Sequence, residues 1–349
     1  MSLQLASFDE AADPYGKRPR TEVALREQGA NIPRTSGLQE PSMLLTGHQG
    51  EIFSVSASSD GTCFASAGFD QQILLWNIYG DCENFSTLKG HKGAIMEIHI
   101  STSGDYLFSC STDKTVRIWD METGTCARKF TNHTDFVNSA HPARRGPVLV
   151  VSGGEDGLCL VHDIRTKAPV VKFENKYQVT AVTFNDLADQ VISAGIDNAL
   201  KICKPLTTLF KLYDNRSRGS SSWTYYNFMG GMFFPIQWIA LPESGIFNRL
   251  LKANAVFADS KGHQHNFERN LLRCAWSPDG KRVACGSSDR IAYIWNVSTG
   301  NIEYGLPGHQ GSVNAVDFHP YDPILISGGS DKRIYLGEIE RPKEMTNGL

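Results

Sequence analysis

Hydrophobic and polar residues alternate along most of this chain in runs of five or six, too short for helices and regular enough for strands. "ILLWN" from Ile73, "TVRIWD" from Thr115 and "IAYIWN" from Ile291 are β-branched and aromatic, the composition of a half-buried pleated surface. Between such runs stand "SDG" at Ser59, "SGD" at Ser103 and "PDG" at Pro278, whose Asp and Gly suit tight strand-to-strand turns. The pattern predicts an all-β fold. Two stretches break it. Residues 1–40 are rich in Pro, Gly, Ala, Glu and Arg, have no apolar period and read as a disordered tail without the apolar core of a signal peptide. Residues 204–262 follow no strand grammar and contain "FMGGMFFPIQWIALP", a run of 15 residues without a charge.

The strands also repeat as a unit. "TGHQG" at Thr46, "KGHKG" at Lys89 and "PGHQG" at Pro307 are near copies, and His48 to His91 is 43 residues, His91 to His133 is 42 and His265 to His309 is 44. This is the period of the WD repeat, four strands to a propeller blade. Starts fall near residues 48, 91, 133, 176, 219, 265 and 309, which predicts a seven-bladed WD-repeat β-propeller over 41–340, followed by a C-terminal tail at 341–349. The last repeat stops one strand short, while "SMLLTGH" supplies a spare strand before the first blade. The N-terminal strand around Met43 to Leu45 is therefore expected to close the last blade and hide its edge.

Spacing inside the repeat brings polar groups together. Asp70, Asp113 and Asp331 each follow a histidine (His48, His91, His309) by 22 residues, and Asp156 follows His133 by 23. A serine lies four residues before the Asp at Ser66, Ser109, Ser152, Ser193 (before Asp197) and Ser327, and a tryptophan six after it at Trp76, Trp119 and Trp295 (after Asp289). Such groups can form a chain of hydrogen bonds from indole to serine to imidazole to carboxylate. A catalytic Ser-His-Asp triad occurs once, in a cleft with an oxyanion hole. Recurrence in blade after blade points to scaffolding instead. His162, Cys203 and Gly337 stand where blades three, four and seven should have Trp. Cys285 replaces a Ser in blade six, and Asn175 and Lys176 replace Gly-His in blade four. Those blades are expected to depend more on packing.

The uncharged stretch at 228–242 occupies the length of one blade, the fifth. A transmembrane helix would interrupt the propeller, and a folded insertion would add length rather than replace it. A translation out of frame accounts for the coincidence: shifted by one base, the codons permit a Ser four before an Asp and a Trp six after it. The fifth blade, about 204–262, is thus in doubt as a frame-shifted reading.

Composition narrows the function. Charged residues make up 20% and the net charge is −3, which gives no whole-protein footprint for nucleic acid. Eight cysteines form no Cys-x-x-Cys pair and read as buried free thiols of a reducing compartment. His263 and His265 lack a third nearby ligand, so no metal is expected, and no phosphate loop or other cofactor motif is present. Lys17, Arg18, Pro19 and Arg20 form a short basic cluster of the kind that directs nuclear import.

"YGDCENF" after Trp76, "PARRGP" from Pro142, "YQVTAVTFNDLADQVISAGIDN" and "HNFERNLLRCAWSPDG" go beyond repeat grammar, since loop residues are not dictated by packing. Over about 40–203 and 264–340 the chain resembles the WD-repeat subunits of the U5 small nuclear ribonucleoprotein of the spliceosome. The resemblance implies a nuclear, non-catalytic scaffold of the U5 particle and tri-snRNP. Such a protein would act in pre-mRNA splicing by binding the large central spliceosomal scaffold protein, with RNA contacted indirectly and no membrane or small-molecule substrate. Phe69, Phe136, Tyr177 and Ile196 fall on the rim that carries Gly-His and are candidate partner anchors, as are Arg144 and Arg145 on the other side. The alternative is a substrate adaptor of a cullin ubiquitin ligase or a chromatin complex, because His162, Asp163, Ile164 and Arg165 approximate a W-D-x-R motif.

Overall fold

The computed structural model describes residues 36–203 except 186 and 198, the strand Trp223–Asn227, and residues 272–339. The basic cluster, the stretch 228–242, His263, His265 and the C-terminal tail lie outside the described residues.

Six four-stranded antiparallel sheets make up the described fold. In the first, Ile52–Ala57, Cys63–Gly68, Gln72–Asn77 and Asn84–Lys89 pair in chain order from the inner to the outer strand. The sheets beginning at Ile95, Val137, Val179 and Cys274 repeat this meander. The last sheet runs Val313–Phe318, Ile324–Gly329, Arg333–Glu338 and then back to Ser42–Thr46, with Ser42 opposite Gly337 and Thr46 opposite Arg333. The spare N-terminal strand does complete the last blade. Leu45 is buried with Ile334 and Leu336 while Leu44 faces out, the alternation of a one-sided strand.

The outer strand of the fourth sheet is Trp223–Asn227, which pairs with Ala199–Cys203. Part of the slot expected for blade five therefore belongs to the fourth sheet.

Adjacent sheets pack face to face. Ala65, Ile73 and Leu75 of the first meet Ile95, Ile98 and Trp119 of the second, and Ile294 of the sixth repeat meets Val313 and Val316 of the seventh. Close approach requires glycine. A Cβ on Gly153 would lie 2.5 Å from Val179 Cγ1, and one on Gly328 would lie 2.7 Å from Ile52 Cγ2. Five of the six inner strands carry a register shift one or two residues after their start, as between Ile52 and Ser54 and between Ile95 and Glu97. Such bulges increase local twist, which lets flat strands wrap a common axis.

Candidate functional site

The hydrogen-bond chains form as the spacing implies, and their proton order is fixed by chemistry. In the second blade His91 Nδ1 is 2.9 Å from Asp113, so the imidazole must donate there. Its Nε2 then accepts from Ser109 Oγ at 2.7 Å, and Ser109 accepts from Trp119 Nε1 at 2.8 Å. His48, Asp70, Ser66 and Trp76 repeat this in the first blade with distances of 2.7, 2.7 and 2.8 Å. In the third blade His133 joins Asp156 and Ser152, and His162 stands in for Trp at 3.3 Å from Ser152. In the seventh His309 joins Asp331 and Ser327, and Tyr335 packs edge-on against the His309 ring at 4.6 Å. Each carboxylate also caps the histidine loop: Gln49, Lys92, Thr134 and Gln310 N–H groups donate to it.

Burial alone would raise the Asp113 carboxyl, but hydrogen bonds from His91, Thr115 and the Lys92 N–H outweigh it and hold it far below the usual range. Burial pushes His91 down against the pull of Asp113, and pushes His162 down to about 3. His91, His133 and His162 are therefore neutral links. Ser66, Ser109 and Ser152 are fully buried and bonded on both sides, so no carbonyl substrate can reach them. Geometry alone removes the triad reading.

Blades four and six were expected to depend more on packing, and the structure adds one polar contact to each. Asp197 pairs with Lys201 Nζ at 2.9 Å, and Asp289 accepts from the Tyr293 hydroxyl at 2.7 Å. Both donors sit four residues past the turn Asp, on the strand that leaves the turn. Ser193 and Trp295 are buried beside them. The available signal was a long polar or aromatic donor four residues after the Asp, at Lys201 and Tyr293.

The loops entering the inner strands and the turns bearing the Asp share one face. There Phe69 is 63% exposed, Phe136 41%, Tyr177 43% and Ile196 44%. These four project from blades one, three and four, while apolar residues of the adjoining strands are buried. Arg144 and Arg145 lie on the opposite face, where the inner strands end; Arg144 is half-buried and Arg145 exposed. Arg165 folds back on Asp163, with Nε 3.0 Å and Nη2 2.6 Å from its carboxylate oxygens.

Inner strands present an unpaired edge to the central channel, and buried N–H groups there need acceptors. The preceding blade supplies them. Ser54 Oγ accepts from Ile98 N–H, Glu97 Oε2 from Ala140 N–H and Ser139 Oγ from Val182 N–H, at 2.9 to 3.1 Å. Asp317 Oδ2 accepts from Ala57 N–H at 2.9 Å, joining blade seven to blade one. Arg273, from the sixth repeat, crosses the channel to Glu97 and donates to the Met96 and Asn138 carbonyls at 2.8 and 3.2 Å. Burial would raise Glu97, but Arg273 and His99 outweigh it and lower the carboxyl to about 2. Toward the opposite face the channel widens into a cavity of about 320 Å³ bordered by His99, His141, Arg144 and Asp317.

The WD domain, G-beta repeat family matches residues 39–77, 82–120, 124–163, 258–296 and 300–336. The U5 small nuclear ribonucleoprotein 40 kDa protein of Homo sapiens is 50% identical over 332 residues, covering 93% of this chain and 90% of that protein. The chain belongs to this U5 40 kDa family of WD-repeat proteins. The U5 40 kDa protein of Dictyostelium discoideum is 44% identical over 316 residues, 90% of this chain and 89% of its own. Pre-mRNA-splicing factor cwf17 of Schizosaccharomyces pombe is 35% identical over 323 residues, 90% and 93%. The loop sequences that set this chain apart from generic WD repeats, around Gly80 and Arg144, thus sit on a U5 40 kDa propeller.

Proposed function

We propose that this chain is a nuclear, non-catalytic scaffold of the U5 particle and tri-snRNP. It binds the large central spliceosomal scaffold protein with its Gly-His face and takes part in pre-mRNA splicing without a cofactor. The exposed anchors Phe69, Phe136, Tyr177 and Ile196 carry this reading. Apolar side chains left in water on one rim, over blades held rigid by buried polar chains, are the arrangement that binds a protein partner. RNA is reached through that partner.

Phe136→Ala combined with Tyr177→Ala is expected to leave the melting temperature within about 2 °C, since both rings are partly solvated. Recovery of the large scaffold protein on the tagged chain should fall at least fivefold. Undiminished recovery would refute the rim assignment. Nothing in the geometry favours the adaptor reading, because Arg165 is engaged with Asp163. Sequencing of co-purified RNA separates the two: U-rich small nuclear RNA is expected, and a cullin without RNA would reverse the choice. The proposal includes seven blades, and a transcript read through codons 204–262 tests whether the fifth is encoded in another frame.

A further inference from the structure

The channel cavity has no role in the rim reading. It opens on the face away from the Gly-His loops. Arg273 lies across the channel on its inner side, so entry is from that face. Its wall combines the apolar side chains of Val55, Val316, Phe318 and Trp276 with two polar groups that lack an adequate partner. Asp317 accepts only backbone N–H groups, from Ala57 and Phe318, and forms no ion pair among the described residues. His141 is 6% exposed and its Nδ1 has no hydrogen-bond partner; the adjacent Pro142 carbonyl acts on it only weakly.

We propose that this cavity receives one arginine or lysine side chain from a basic segment of a partner, with Asp317 as its counter-ion. The apolar collar covers the aliphatic stem. A carboxyl in such a wall prefers a cation at contact distance to any anion. Burial pushes Asp317 up to about 6. His99 and Arg144 also face Asp317, but both act on it less than burial does. Glu97 is already committed to Arg273. The turns that follow the inner strands on this face carry the exposed carboxylates Asp60, Asp105 and Asp279 and the exposed cations Arg145 and Lys281.

The test uses the full chain with methyl-labelled alanine and valine. Acetyl-Gly-Gly-Arg-Gly-Gly-amide is titrated beside its lysine, citrulline and glutamate counterparts. The arginine and lysine peptides are expected to shift the methyls of Ala57, Ala143 and Val55, and the citrulline and glutamate peptides to leave them in place. Asp317→Asn keeps an acceptor for Ala57 N–H and removes the charge; it should weaken arginine binding at least tenfold. Ser59→Trp, at the exposed rim, should block the mouth with Asp317 intact, and it carries the test if the Asn variant does not fold. Equal binding of citrulline, preference for glutamate, or full affinity in both variants would overturn the proposal. None of these results bears on the scaffold pull-down, which probes the other face.

Discussion

One serine oxygen holds each complete polar chain together. In Ser109→Ala the Trp119 indole and the His91 ring both lose their partner while fully buried. Each orphaned group costs about 1–3 kcal/mol, so the variant should lose about 2–6 kcal/mol in a denaturant titration. The chains also set the response to acid. His91 is held below the ordinary histidine value of 6.5, so the fold disfavours its protonation and loses stability as pH falls below that value. Asp113, held below 3.8, extends the loss to lower pH. Asp317 runs the other way: raised to about 6, it takes up a proton in the folded state first, which favours the fold as pH falls from about 6 toward 3.8. Asp317→Asn should therefore melt higher than the parent at pH 7, with the advantage shrinking below pH 6. The complete chains were legible in the sequence because the His-to-Asp offset of 22 recurred three times and the Ser-to-Asp offset of four recurred five times. Lys201 and Tyr293 were not, since the same position holds Leu74, Arg117, Leu160 and Tyr335 in other blades and looks like strand filler until the carboxylate beside it is located.

At the scale of the strand, the fold depends on pairs that close late in the sequence. Deleting residues 40–47 exposes the edge of Arg333–Glu338 and removes the buried Leu45. A loss of several kcal/mol corresponds to a fall of about 10 °C for a domain of this size, readable by calorimetry; a shift under one degree would contradict the role given to this pairing. The closing strand was legible because the last repeat is visibly one strand short. The bulges near the start of the inner strands were not, since they come from twist around the axis and leave no residue-type signature.

Across the whole molecule, Arg273 and Glu97 connect blades that are not neighbours. Their separation of 176 residues spans four repeats, and a contact across the channel between non-adjacent blades is invisible to offsets read within one repeat. Removing one partner of a buried ion pair costs about 3–5 kcal/mol, whereas removing both often costs little. Arg273→Met is expected to destabilise by that amount, and adding Glu97→Gln should restore part of it, although Ala140 N–H must keep its acceptor. Additive losses in the double variant would show that the two side chains do not couple.

The clasp between Ser42–Thr46 and Arg333–Glu338 also has a timetable. Thr46 leaves the ribosome nearly 290 residues before its partner Arg333 is made. At 5–20 residues per second that is a wait of roughly 15–60 s. Throughout it the nascent chain offers a bare strand that any other unpaired edge can capture, including the same edge on a neighbouring copy. Synthesis of this protein thus passes through a window in which chaperone cover, more than final stability, decides how much of it is assembled correctly.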